Sequence, residues 1–302
     1  MKHARAALVL PLVLVSTAIS AADVAILKST DTLAWRPALD ALRRAASSHA
    51  VTEYDLRGEK AEGEKVLNGL KGKAVIIVAM GPLAAQLSRE ILPDAPLVFC
   101  MIQDPAKVGL TAGPNLTGVS FYTPAKNQLA AFRMVHPQGV RIGILYNEEN
   151  VGRHVQEAQK AVSGLGRDLI PKPVGSVKDV PQALREMLTG DNAVDALWML
   201  PDPMLLDDES RRFIFAETLK AGRPVYSFSS ALVGEGALVS NGPDLASVGE
   251  LAGDLVNRLA SGEKTKIDFL VPRGELVINK KIAGKLKITI SAEALKAAAR
   301  TF

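Results

Sequence analysis

The chain has 302 residues, enough for two domains of about 100–150 residues each. It is 48% hydrophobic, 23% charged and 5% aromatic, with 24 Gly and 17 Pro, which excludes a disordered, collagen-like or disulfide-rich chain. A net charge of +4, part of it from Lys2 and Arg5 near the N-terminus, is too small a surplus to draw nucleic acid. The single cysteine, Cys100 in the apolar run PLVFCM, reads as a buried thiol.

The chain opens with MKHAR, a positive start, followed by the apolar ALVLPLVLVSTAI and then by Ser20, Ala21 and Ala22 ahead of Asp23. That is the layout of a secretory signal peptide over residues 1–22, cleaved after Ala22 or Ser20. The apolar part is shorter than the roughly 20 residues a membrane span requires. No cysteine follows it to carry a lipid, so the expected product is exported and not lipid-anchored.

From Asp23 onward short apolar runs alternate with amphipathic stretches. VAILK (24–28) predicts a strand, PALDALRRAASSH (37–49) a helix, VTEYDL a strand and AEGEKVLNGLKG a helix. AVIIVA (74–79) and PLVFCM (96–101) are continuous apolar runs, as expected of strands buried on both faces of a parallel sheet. Between them PLAAQLSREIL starts a helix at Pro82. The rhythm restarts with VRIGILY (140–146) as a strand and NVGRHVQEAQKAVSGLG as a helix. RDLIPKPVG is then a strand, VPQALREMLTG a helix, VDALWML (194–200) a strand, LLDDESRRFIFAETLKAG a helix and RPVYSF (223–228) a strand. In both halves the first and third strands start about fifty residues apart, a coarse internal duplication. The predicted fold is α/β: two Rossmann-like lobes, each a βαβαβαβ unit with a parallel sheet. A tail of one more helix, IDFLVP, LVINKKIAGKLKI and SAEALKAAAR packs on both lobes, so that the chain crosses between them more than once and forms a hinge. The expected division is 23–120 plus 243–264 for the N-terminal lobe and 121–242 plus 265–302 for the C-terminal lobe.

Catalytic and cofactor chemistry finds little support. His49, His136 and His154 are not at metal-ligand spacing, so no metal is expected. No GxGxxG follows a strand and no phosphate loop is present, so no nucleotide cofactor is expected either. GVSFY (118–122) lacks the closing glycine of a nucleophile elbow, and Ser261-Gly-Glu-Lys264 stands without partner motifs. Asp207, Asp208 and Glu209 read as the negative first turn of a helix.

What remains is a set of polar residues at the carboxyl ends of predicted strands, where ligands bind in open parallel sheets. In the first half these are Ser29, Thr30 and Asp31, then Gly81, then Gln103 and Asp104. In the second they are Tyr146 and Asn147, then Asp202, then Ser227, Ser229 and Ser230. Each could instead cap a turn or a helix; together they outline a cleft for a small polar solute. Trp35, in the loop between the first strand and its helix, either covers a planar ligand or packs under that helix. Asp31, Asp104 and Asp202 together favour a ligand bearing an amine. An exported two-lobed chain without catalytic inventory reads as a solute-binding protein rather than an enzyme, acting as a monomer. The alternative is a periplasmic sensing module that presents its solute to a membrane receptor kinase; an exported enzyme is a third class.

Several segments carry a family resemblance in order and spacing: APLVFCMIQDPAKVGL, NLTGVS, RIGILYN, LPDPMLL, RPVYSFSSALVGEGAL and LVINKKIAGKLKITI. They resemble the ABC-transporter substrate-binding family whose characterised members bind tryptophan and other aromatic amino acids. The resemblance implies a type I periplasmic-binding-protein fold, an amino acid or relative as solute, and an inner-membrane permease with its ATPase as partner. The periplasm is the implied location. Asn147, Asp104 and Asp202 match the family pattern. Departures fall at Pro82-Leu83, where the family has Thr-Pro, at Gln103 in place of Thr, at Glu149-Asn150-Val151, and at Asp202-Pro203 in place of Asp-Asn.

Overall fold

The structure is a computed structural model that describes residues 22–263 and 266–302. The leader expected over 1–22 therefore lies, apart from Ala22, outside the described residues. The first sheet contains β1 (Asp23–Lys28), β2 (Ala50–Asp55), β3 (Val75–Met80), β4 (Leu97–Ile102) and β5 (Leu116–Ser120) in the order β2-β1-β3-β4-β5, all parallel. Every residue of β3 and β4 is buried, which is why these segments carry no polar alternation. Helices α1 (Arg36–Ala45), α2 (Lys60–Leu70) and α3 (Pro82–Ile91) connect the strands.

The second lobe starts at α4 (Ala125–Val135). It continues with β6 (Arg141–Tyr146), α5 (Glu148–Val162), β7 (Asp168–Pro173), α6 (Val180–Leu188), β8 (Ala196–Met199), α7 (Asp208–Lys220), β9 (Val225–Ser227), α8 (Ser230–Glu235) and β10 (Val239–Pro243). Helix α9 (Leu245–Ala260) then departs. The chain returns with β11 (Gly274–Ile278), α10 (Lys280–Lys285), α11 (Ala292–Ala297) and β12 (Arg300–Thr301). The sheet order is β12-β11-β10-β9-β8-β6-β7, with β11 antiparallel to β10 and the other pairs parallel. The duplication is thus real but unequal, since the expected four strands per half become five and seven. Phe132 anchors this core, edge-on to Trp198 at 5.4 Å and stacked on Tyr226 at 4.7 Å. Asp207 caps α7 by accepting from the backbone N–H groups of Glu209 and Ser210, the helix-start role expected of that acidic cluster.

Helix α9 belongs physically to the first lobe. It lies along α1 so closely that a Cβ on Gly249 would stand 2.0 Å from the Ala38 carbonyl oxygen, and one on Gly253 2.3 Å from the Ala45 Cβ. His49 ties the same helix down, accepting from the Ala22 N–H (3.1 Å) while its other ring nitrogen meets Asn257 Oδ1 (2.9 Å). The stretch 266–270 stays on the first lobe too. Leu270 exchanges backbone hydrogen bonds with Gly118 and Ser120, and Phe269 packs edge-on against Phe99 at 4.7 Å. The last crossing therefore falls beyond Leu270 rather than at the expected 264/265 boundary, because Ile267, Phe269 and Leu270 find apolar partners in the first lobe. Three segments join the lobes, and the second and third are held together where Asp244 N–H donates to the Arg273 carbonyl.

Candidate functional site

The carboxyl ends of both sheets face a common cleft. At the end of β1, Ser29 is buried and its Oγ accepts from the Ala84 N–H (3.0 Å), serving the first turn of α3. Gly81 precedes that helix with φ +91°, and a Cβ there would lie 2.8 Å from both Ser29 Oγ and the outer ring of Trp35. Only glycine permits this backbone together with that approach. Trp35 is half-buried: it packs against the first-lobe core and also lines the cleft. Thr30 and Asp31 are exposed, and Asp31 pairs with Lys28 at 3.3 Å.

Strand β4 ends in a bulge. Its register against β5 shifts between Phe99 and Ile102, and Met101 takes φ +61°, a left-handed conformation uncommon for a side chain with a Cβ. The bulge brings Met101, Ile102 and Gln103 to the cleft wall. The cleft has a volume of about 450 Å³. Trp35, Pro82, Met101 and Phe121 form its first-lobe side; Val151, His154, Pro201 and Pro203 close it from the second. It is chiefly apolar and aromatic. A larger hollow of about 670 Å³ lies at the amino end of β3, around Leu70, Val75 and Leu259, away from the crevice where parallel sheets receive ligands.

Polar contacts bridge the mouth. Asp104 accepts from the Lys107 N–H as the cap of a short 3-10 turn and also pairs with Arg153 on α5. Lys107 Nζ donates to the backbone carbonyls of Glu149 (2.7 Å) and Asn150 at the start of the same helix. Two cations and one carboxylate thus connect the lobes across the cleft.

The second-lobe residues singled out by sequence are engaged within their own lobe. Asp202 is wholly buried and accepts three hydrogen bonds, from Asn147 N–H (2.6 Å), Asn150 Nδ2 (2.7 Å) and Met204 N–H (3.0 Å). Asn147 caps α5 by accepting from Asn150 N–H and donates to the Val174 carbonyl. Tyr146 is buried, with its hydroxyl pKa raised first by burial and then by Glu148. Ser227 Oγ accepts from Ser229 N–H, and Ser229 Oγ caps α8 ahead of Ser230. Of the twelve principal candidates the structure brings Trp35, Gln103 and Asp104 to the cleft, with Ser29 and Gly81 supporting Trp35 from behind. Asp31, Asp104 and Asp202 are each engaged by protein donors, Asp31 by Lys28, Asp104 by Arg153 and Asp202 by the N–H groups of Asn147, Asn150 and Met204.

Sequence reasoning missed Met101, Phe121, Asn150 and His154. The bulge has no sequence signature, and His154 was weighed only as a metal ligand. Helical spacing from the Asn147 cap, with Val151 and His154 one turn apart on one face, is the signal that could have found it. His154 is 6% exposed, and burial holds its imidazole below the ordinary value, with Arg153 and Lys107 acting the same way and Asp104 and Glu157 opposing. Cys100 is buried and its thiol is pushed up to about 12 by desolvation, consistent with an inert core residue.

Known proteins place this geometry. The ABC transporter substrate binding protein family matches over residues 40–302. A tyrosine-binding protein of Clostridioides difficile is 23% identical over 199 residues, a match spanning 63% of this chain and 56% of that relative. Among solved structures, an ABC domain in complex with L-Trp from Streptococcus pneumonia superposes with a TM-score of 0.68 at 23% identity, over 94% of this chain and all of that one. A ligand-free, open substrate-binding protein with adhesive properties from Clostridium difficile gives 0.79 at 17% identity, over 92% and 98% of the two chains. The shared architecture is that of a type I periplasmic binding protein. With a family match running from the first helix to the last residue, the chain belongs to the ABC transporter substrate-binding protein family.

Proposed function

We propose that this chain captures a small solute, an aromatic amino acid or a relative, between its two lobes and delivers it to an ABC importer. The observation that carries the reading is the cleft of about 450 Å³ between the carboxyl ends of both sheets, walled by Trp35 and Phe121 on one side and by α5 on the other. An indole beside a phenyl ring suits a planar apolar body. The names of the matched relatives, one binding tyrosine and one solved with L-Trp, support the same class. The lobes close on the solute about their three connecting segments, and Asp104–Arg153 and Lys107 tighten the mouth as they do. The leader directs the chain to the periplasm, where it meets an inner-membrane permease with its ATPase.

Titration calorimetry of aromatic and aliphatic amino acids, with small-angle scattering on the same samples, tests this reading. An aromatic ligand is expected to bind and compact the particle, and Trp35→Ala to weaken it by at least about tenfold, the loss of one large buried contact surface. Tight binding without compaction, or equal affinity in Trp35→Ala, refutes this assignment of the cleft.

A further inference from the structure

Strand β11 runs antiparallel to β10, so that its last residue, Ile278, pairs with Val239, the first of β10. The segment that follows, 280–302, therefore emerges at the amino ends of the parallel strands, the pole of the second lobe opposite the cleft. It holds Lys280, Lys281, Lys285, Lys287, Lys296 and Arg300 against Glu293 alone, a net side-chain charge of +5. The whole chain carries +4, so the residues before Lys280 sum to −1. The basic surplus of the protein is concentrated at this one pole.

These cations are exposed, and most are unclaimed. Arg300 lies 3.7 Å from Glu275 and 5.7 Å from the centre of the Phe302 ring. None of the five lysines has a carboxylate within ion-pair distance among the described residues. Lys281 and Lys285 stand one turn apart on α10, where like charges repel. Lys287 follows that helix with φ +57°, a left-handed position ordinarily held by glycine or asparagine. The basic surface continues across a hollow of about 400 Å³, lined by Lys287 and Thr289 together with Arg223 from the loop after α7. The one carboxylate of that lining, Asp195, accepts from the N–H groups of Val140 and Arg141 and pairs with Arg223 at 3.7 Å. Apolar groups are interspersed, since Leu295 and Phe302 are each more than a third exposed.

We infer that this pole is a docking surface for a bilayer rich in acidic phospholipid. Clustered lysines are drawn to an anionic leaflet within a Debye length of it, and their mutual repulsion is relieved there. Phe302 and Leu295 add apolar contact at the headgroup boundary, which a soluble polyanion does not use. The cleft lies at the other end of the sheets, so a chain bound in this way keeps it free to take up solute.

The test is vesicle co-sedimentation of the protein without residues 1–21. Vesicles of phosphatidylcholine alone are compared with vesicles holding about 30 mol% phosphatidylglycerol, at about 0.1 M and about 0.5 M NaCl. Binding is expected only to the acidic vesicles and only at the lower salt. Lys281→Ala with Lys285→Ala should weaken it at least about tenfold, each lysine near an anionic surface being worth about fivefold. Both side chains are exposed and unpaired, so the melting temperature of this variant should stay level. Phe302→Ala should weaken vesicle binding about threefold and leave binding to heparin, a soluble polyanion, unchanged. No binding to acidic vesicles at the lower salt, or equal binding to neutral ones, overturns the inference. So does an equal loss from Lys71→Ala with Lys73→Ala, exposed lysines of the first lobe, because the attraction then follows net charge rather than this pole. Unchanged vesicle affinity in Phe302→Ala makes the partner a soluble polyanion and overturns the lipid assignment.

Discussion

The two lobes engage most of their polar strand-end residues locally, Ser29 and Asp31 in the first as much as Asp202 in the second, and differ in what they leave facing the cleft. In the first lobe the ends of β1, β3 and β4 leave side chains facing the space: Trp35 over Gly81, and Met101 and Gln103 turned in by the bulge. In the second lobe the polar strand-end residues are consumed at home, with Asp202 knitting β6 to β8 through Asn147 and Ser227 and Ser229 closing their own loop. That lobe reaches the cleft instead through the side of α5, with Val151 and His154, and through the prolines flanking Asp202. Polarity at the end of a parallel strand is thus two different things. It stays open to the cleft only where the fold has not already supplied the hydrogen-bond partner.

The sharpest break of this contrast is Asp202→Ala. It strands the N–H groups of Asn147 and Met204 and the amide of Asn150 in a buried site. The expected cost is about 4 kcal/mol, since each deprived buried donor is worth about 1–3 kcal/mol and some will find water. Trp198 lies in the second-lobe core, so in a Trp35→Phe background the remaining indole follows that lobe alone through urea unfolding. Asp104→Asn is the counterpart at the mouth. Its partner Arg153 is 62% exposed, so the expected loss of stability is below about 1 kcal/mol. If Asp202→Ala keeps its unfolding midpoint and loses only ligand, Asp202 is a binding residue and the contrast between the lobes is wrong.

A smaller effect tests the dependence of the first lobe on a helix that arrives late in the chain. Gly253→Leu forces a side chain into a position where even a Cβ stands 2.3 Å from Ala45. Overpacking of this kind costs about 3 kcal/mol. Hydrogen exchange should show β1 and β3 amides losing protection while those of β6 and β8 keep it. Equal loss in both sheets would mean that α9 serves the whole molecule rather than the first lobe.

Much of this fold was legible because parallel strands buried on both faces must be continuous apolar runs, as β3, β4 and β8 are. Strand β5 escaped notice: LTGVS is short, and its Gly118 is required by the Phe99 ring, 2.5 Å from where a Cβ would stand. Residue type placed Asp202 and Asn147 at strand ends correctly. It could not reveal that the donors Asp202 accepts from lie as far as 55 residues upstream, nor that Arg153 reaches Asp104 from the other lobe. Such pairings are tertiary facts, whereas strand burial is written locally. The φ of Met101 is legible in neither way, since nothing in PLVFCMIQD marks a left-handed residue.

The smallest predicted effect concerns protons, and it again separates the lobes. His136 and His154 both belong to the second lobe, and burial holds both imidazoles below their ordinary value. His136 Nδ1 lies 2.7 Å from the Tyr226 hydroxyl, with Asp195 favouring its charged form and Arg167 opposing it. Asp104 and Glu157 favour the charged form of His154, whereas Arg153 and Lys107 oppose it. In the unfolded chain each histidine takes a proton near pH 6.5. As the pH falls through that value the unfolded state binds protons that the folded state does not, so stability is lost on acidification and is unaffected by these groups at higher pH. The Trp198 unfolding midpoint should therefore fall between pH 7 and pH 5. The fall should be shallower in His136→Gln, whose side chain has no proton to take up in that range. A wild-type slope in His136→Gln would show that His136 is not held neutral by its burial, and that acid sensitivity in this range arises elsewhere.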